Sequence, residues 1–168
     1  MKKHLGISLL GVLFLSASSY AAGGTSVYCA FMNTDTAQSS SGYATLYTLS
    51  GTMSGDTVLL SMKKTEYGII QINGKYQPDL SNIRFENIVE FHSRKFERSP
   101  RNTSNAWKTY TPKSPINDGF YANVAVTIRN LASDPSYGNS HLAVLALTTL
   151  TDDAPYHEKI NGTCTFSQ

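Results

Sequence analysis

Between Gly119 and Leu131 the chain alternates with its greatest regularity. Phe120, Ala122, Val124, Val126 and Ile128 fall on one side of an extended strand, and Tyr121, Asn123, Thr127 and Arg129 on the other. A period of two predicts a strand with one face in a core and one in water. A second apolar run, His141 to Leu150, follows a turn-rich connector carrying Asp134-Pro135 and Tyr137-Gly138, and is placed to pair with the first as a long hairpin.

The same pattern recurs in shorter pieces. Tyr43–Ser50, Thr57–Met62, Tyr67–Ile72 and Glu158–Phe166 read as strands. Gly51 and Gly55 are expected to mark a turn, and Lys63-Lys64 a turn or an edge. Asn73-Gly74 is the strongest short hairpin signal, with Tyr76 and Gln77 opening the return arm. Ser81–Phe91 fits two patterns. Ile83, Phe85, Val89 and Phe91 suit a strand with an irregularity near Asn87, whereas Leu80, Ile83, Ile88 and Phe91 suit one face of a short helix. Pro78 and the flanking β-branched residues favour the strand. Asn33–Gly42 and Asp152–Pro155 read as polar loops, and Asn117-Asp118-Gly119 as a turn.

No fixed-period repeat, heptad seam or long amphipathic helix interrupts this series. The expected fold is all-β, a single antiparallel β-sandwich, immunoglobulin-like or related. The Cys…Trp…Cys spacing of true immunoglobulin domains is absent, because Trp107 lies late and the two cysteines are terminal.

The ends of the chain bound its setting. Lys2 and Lys3 precede an apolar run from Leu5 to Leu15, and Ser19 and Ala21 occupy the −3 and −1 positions of a small-x-small cleavage site. Residues 1–21 are therefore expected to be a signal peptide of bacterial type, leaving residues 22–168 as one β-sandwich domain. The apolar run is shorter than the roughly 20 residues a membrane span needs, so no stable membrane insertion is expected. Removing Lys2 and Lys3 from the 14 Lys and Arg leaves 12, equal to the 12 Asp and Glu. A neutral chain offers no general attraction to nucleic acid or anionic lipid.

Cys29 and Cys164 are the only cysteines. In an oxidising compartment two lone cysteines form a disulfide, and the strand-like surroundings of each predict a bridge between neighbouring terminal strands. Neither lies in a C-x-x-C or beside a histidine that would suggest metal or redox chemistry.

Catalytic patterns are weak. His157-Glu158 begins an H-E-x-x-H, but position 161 is Asn, and zinc needs the second imidazole one helical turn on. Asp152, Asp153, His157 and Glu158 read as a solvated acidic turn rather than a metal site. Ser61-x-x-Lys64 lacks the companion elements that give S-x-x-K its chemistry. Histidine in general titrates near neutrality, which makes His92, His141 and His157 candidate bases, but no neighbouring residue nominates a nucleophile. The chain is read as non-enzymatic, with no cofactor and no metal. Asn102-Thr103-Ser104 and Asn161-Gly162-Thr163 are sequons by letter, incidental in a bacterial protein.

His92–Pro115 differs in composition. Arg94, Lys95, Arg98, Arg101, Lys108 and Lys113 face a single acid, Glu97, and Ser99-Pro100, Thr111-Pro112 and Ser114-Pro115 argue against continuous regular structure. Read as a basic loop interleaved with Phe96, Trp107 and Tyr110, it suits acidic ligands through charge, stacking and cation–π contact. Arg94, Lys95, Arg98, Arg101, Trp107, Lys108 and Tyr110 are the candidate binding residues.

The function expected is an exported binding module that recognises a protein or glycan through surface loops, adhesin-like or in host contact, at the cell surface, outside the cell or in the periplasm. Two other readings are a periplasmic inhibitor or accessory factor that plugs an envelope-active hydrolase with the basic loop, and a small secreted hydrolase with a spatially assembled site.

Overall fold

The computed structural model describes residues 24–34, 42–104, 106–114, 116, 121–129, 140–150 and 154–167. The expected signal peptide, Phe120, most of the 33–42 and 133–140 loops, the turn at Asn117-Asp118-Gly119, Pro115, Asp152 and Asp153 lie outside them. Eight strands follow in order: β1 (Thr25–Asn33), β2 (Ala44–Ser54), β3 (Thr57–Ile72), β4 (Lys75–Arg98), β5 (Trp107–Pro112), β6 (Tyr121–Arg129), β7 (Ser140–Leu150) and β8 (Pro155–Ser167). Each pairs antiparallel with the next, and β1 pairs with β8, so one sheet closes into a ring. The all-β, antiparallel part of the expectation stands. The connectivity differs from an immunoglobulin-like arrangement, because the ring runs strictly in sequence order with no crossover among the described strands.

Closure depends on β1. Cys29 faces Cys164 in the β1–β8 register, and the two form a disulfide across 135 residues of chain, buried in the core. Two positions along, Phe31 faces Gly162. A Cβ on Gly162 would lie 2.1 Å from the Ala30 carbonyl oxygen and 2.6 Å from the Phe31 ring, so only glycine lets that buried ring lie across β8.

Inward positions fill the ring with one cluster, including Val27, Phe31, Leu49, Leu60, Met62, Phe91, Phe96, Val124, Val126, Leu145, Leu147 and Ile160. In β6, Val124, Val126 and Ile128 point inward as their alternation predicts. Ala122 does not. A register shift between Tyr121 and Asn123 leaves Ala122 exposed and turns Tyr121 into the core, reversing the expected facing of both.

β3 and β4 depart furthest from expectation. Lys63-Lys64 is no turn, since β3 runs straight through to Ile72, and Gly51 sits within β2 opposite Leu60. The turn lies at Gly55 alone of the two expected glycines. Asn73 and Gly74 both take positive φ (51° and 76°), the type I′ hairpin geometry their pairing predicts. Ser81–Phe91 is strand, with its irregularity at Asn87. From Thr57↔Glu97 to Ile72↔Lys75, 15 residue steps on β3 face 22 on β4, so β4 is repeatedly bulged. At two bulges, Asn87 and Ser93, φ is positive, and a hydroxyl on β3 receives the displaced amide. The Asn87 N–H donates to Thr65 Oγ1 (3.2 Å) and the Ser93 N–H to Ser61 Oγ (2.9 Å).

Substitutions at the bridge and at Gly162 test the closure. In the chain-entropy account a bridge over 135 residues contributes about 5 kcal/mol. Cys29→Ser and Cys164→Ser should each lower the melting temperature by on the order of 10 °C, and the double variant should add little further. Gly162→Ala should cost about 1–3 kcal/mol in a denaturant titration, because the Phe31 ring and the β1 backbone must give way together.

Candidate functional site

The closed sheet has two mouths of different chemistry. At the first, the register brings the last inward positions of several strands to one level. Thr25 and Met53 pair across β1–β2, Lys108 and Ile128 across β5–β6, and His141 and Phe166 complete the rim from β7 and β8. With Tyr110 and Arg129 these residues line a pocket of about 220 Å³. Its floor is apolar and aromatic, and its lining includes Lys108 and His141, with Arg129 at the rim, and no carboxylate. A volume equal to roughly seven waters suits a single ring-sized group rather than an extended ligand.

Several contacts fix this mouth. His141 Nδ1 lies 3.1 Å from the Arg129 carbonyl oxygen, which only accepts, so Nδ1 carries the hydrogen. Nε2 is left to accept when the ring is neutral and to donate when it is charged. The imidazole also meets the Phe166 ring edge-on, with centroids 4.8 Å apart. Burial pushes the Tyr110 phenol above its usual range, with Asp56 adding to the shift, so it remains a neutral donor.

The expected basic loop is not a loop. Arg94, Lys95 and Arg98 belong to β4, and Trp107, Lys108 and Tyr110 to β5, with only residues 99–106 between them. Pro112 is accommodated as the last residue of β5, opposite Phe96. The connector is held by its own side chains: Asn102 Nδ2 donates to Thr109 Oγ1 (2.8 Å), and Ser104 Oγ accepts from the Trp107 N–H (3.3 Å).

The candidate residues therefore separate. Lys108 and Tyr110 enter the pocket, Tyr110 as part of the core. Trp107 is half-buried opposite Arg129 on the outer face, and Arg101 is exposed in the connector. Arg98 lies 3.8 Å from Asp56 at the same mouth. Lys95 and Lys113 both pair with Glu97 on the outside, at 3.0 and 3.5 Å. The Lys95 hydrogen bond, chiefly, holds the exposed Glu97 carboxyl below its usual range. Arg94 takes a half-buried position opposite Leu60, further along the sheet.

Sequence reasoning missed Thr25, Met53, Arg129 and Phe166 as pocket residues. In the sequence His141 stands only as an isolated histidine. Each lies at the end of a different strand, and no spacing in the chain marks them as neighbours.

The second mouth is polar and filled. Lys64 Nζ lies 3.2 Å from Glu90 and 3.8 Å from Glu66, and Asn33 donates from Nδ2 to Glu158 Oε1. The Tyr47 and Tyr121 phenols lie close to one another and to Glu90. Burial, aided by the nearby carboxylates, pushes the Tyr47 phenol up to about 12 and raises Tyr121 as well. His157, in extended β8, bonds Thr148 Oγ1 through Nδ1 (3.0 Å), an arrangement unlike a zinc helix. Among the described residues no group of three or more His, Cys, Asp or Glu is placed to hold a metal ion. Among the described residues no helix is long and apolar enough to cross a membrane.

No family model matches this chain, and comparison with curated proteins and with solved structures returned no match.

The neighbouring phenols make stability depend on alkaline pH. An unfolded tyrosine ionises near 10, whereas folded Tyr47 holds its proton to about 12. Above pH 10 the folded state binds more protons than the unfolded one, so stability falls as pH rises. Tyr47 alone should account for a loss of about 2 kcal/mol by pH 12. Denaturant midpoints measured from pH 8 to 12 should fall less steeply for Tyr47→Phe than for the unaltered chain.

Proposed function

We propose that this protein is an exported, non-enzymatic binding module that holds the acidic terminal unit of a glycan in the pocket at its first mouth. One observation carries the reading: an apolar, aromatic-lined pocket of about 220 Å³ whose lining includes Lys108 and His141, with Arg129 at its rim, and no carboxylate. A sugar ring stacks its C–H faces on aromatic side chains, while a carboxylate or sulfate substituent meets the lysine and arginine in charge-assisted hydrogen bonds. Arg101, exposed in the connector beside the same rim, extends the positive field outward, whereas Arg98 is paired with Asp56. The lysine-led leader pattern and the buried disulfide support export to the periplasm, cell surface or medium. A closed sheet with an internal cross-link is a rigid mount for such a pocket.

An acidic protein partner is the second reading, favoured by the exposed Arg101 and half-buried Trp107 beside the pocket. The inhibitor reading needs a free basic loop to enter a cleft, and most of that stretch is committed to β4 and β5.

Titration calorimetry should show binding to oligosaccharides ending in an acidic sugar and none to their neutral counterparts, weakening as salt is raised. The double change Lys108→Ser and Arg129→Ser should lower affinity about 10- to 100-fold, the worth of one or two charge-assisted bonds. Lys95→Ser should leave it unchanged, since that ammonium is paired outside the ring. Equal binding of acidic and neutral glycans would sink the glycan reading; binding of acidic peptides alone would support the protein partner, and turnover of the glycan would support a hydrolase.

A further inference from the structure

The polar atoms of the first mouth are ones the fold itself leaves unused. Lys64, Lys95, Lys113 and Arg98 each meet a carboxylate. Lys108 meets none among the described residues, although it shares the inward face of the sheet with Ile128, its partner on β6, and lines the pocket. A half-buried ammonium without a counter-charge costs free energy unless an anion joins it.

His141 lines the same pocket. It is opposite Cys164 in the β7–β8 register, so it too is directed inward, one strand from the buried bridge. Two contacts clamp the ring. Nδ1 donates to the Arg129 carbonyl oxygen on β6 at 3.1 Å, and Phe166 on β8 meets the imidazole edge-on with centroids 4.8 Å apart. Nε2 has no partner among the described residues. Turning the ring to exchange its nitrogens would break the bond to β6, so a ligand in the pocket finds Nε2 available and Nδ1 engaged.

The elements around the imidazole present few charges. On its own strand, Ser140, Leu142 and Ala143 carry none. β1 and β2 contribute Thr25 and Met53, β8 contributes Phe166 and the bridged Cys164, and β6 contributes Ile128 with Arg129 at the rim. β5 contributes Lys108 and Tyr110, whose phenol is kept neutral by burial. Asp56, at the same mouth, lies 3.8 Å from Arg98. Among the side-chain types in this lining, histidine is the one that changes charge between about pH 5 and 8.

We infer that His141 is the specificity-determining residue of this pocket, through which an acidic ligand is bound together with a proton. The inference rests on the reading of the first mouth as an acidic-glycan site. Neutral, Nε2 accepts from a sugar hydroxyl; protonated, it donates a charge-assisted hydrogen bond to a carboxylate or sulfate oxygen. An anion within reach of Nε2 favours the charged ring, and no carboxylate in the pocket lining does so in its absence. The complex therefore holds a proton that the free protein gives up, and affinity for anions rises as pH falls. A sugar carboxyl ionises well below this range, so the ligand's own charge stays constant. Neutral sugars gain nothing from the charged ring.

Calorimetric titrations of the unaltered protein test this, with sialyllactose, a disaccharide ending in glucuronic acid and sulfated lactose as probes and lactose as the neutral control. Acidic probes should bind about 10-fold more tightly at about pH 5.5 than at about pH 8, the worth of one hydrogen bond to a charged group. At about pH 7 the measured heat should vary with the ionisation enthalpy of the buffer, which reports uptake of up to about one proton per ligand bound. His141→Gln, which sets a neutral amide near the place of Nε2, should keep roughly the affinity found at about pH 8, lose the pH dependence and take up no proton. His92→Gln and His157→Gln, altered outside the pocket, should behave as the unaltered protein does. Acidic probes that bind equally at both pH values without proton uptake would overturn the inference and leave the glycan reading standing, as would a His141→Gln variant that keeps the pH dependence. Binding by none of the three acidic probes at either pH would overturn both.

Discussion

Pairing between the first and last strands organises this protein. A sheet of this length left open would present two unpaired edges, each with a row of unsatisfied amides and carbonyls. β1 removes both by accepting β2 on one side and β8 on the other, and the Cys29–Cys164 bridge sits within that seam. The constraint propagates locally. Phe31 is buried against β8 because Gly162 offers no side chain there, and the neighbouring inward positions inherit their level from that register. Sealing a ring by its own termini also makes closure the slowest contact to form entropically, which is why a covalent link across 135 residues is worth so much at that place.

With the ring closed, the two mouths acquire separate characters from the residues that happen to end each strand. At the second mouth carboxylates meet Lys64 and Asn33, beside the neighbouring phenols of Tyr47 and Tyr121. Such a network stabilises only when its members are matched, and it leaves little capacity for a ligand. At the first mouth the pocket holds lysine and histidine, with arginine at the rim and no carboxylate, and the aromatic floor gives an anion an apolar body to rest against. That asymmetry is what directs the functional reading to one end of the molecule.

β4 stands apart from the rest of the sheet. Its extra residues relative to β3 are absorbed in bulges, with serine and threonine hydroxyls on β3 accepting amides the ladder no longer uses. Bulging twists a strand and spoils its edge as a template, while the side chains on its faces stay available.

Much of the scaffold was legible in the chain. Period-two alternation in β6 and β7, the Asn73-Gly74 turn and the two cysteines in strand-like settings determine an all-β chain with joined termini, because backbone pleat, turn geometry and disulfide chemistry act over a few residues at a time. Local signals misled where long-range pairing overrode them. Lys63-Lys64 stays in β3 because partners on both sides hold it there, the basic stretch is drawn into β4 and β5 despite its prolines, and one bulge at Ala122 turns Tyr121 inward. Of the candidate binding residues, sequence supplied Lys108 and Tyr110, but their company of Thr25, Met53, Arg129, His141 and Phe166 comes from strands far apart in the chain. Those neighbours are set by register around a closed sheet, a property of all eight strands together and of no single segment.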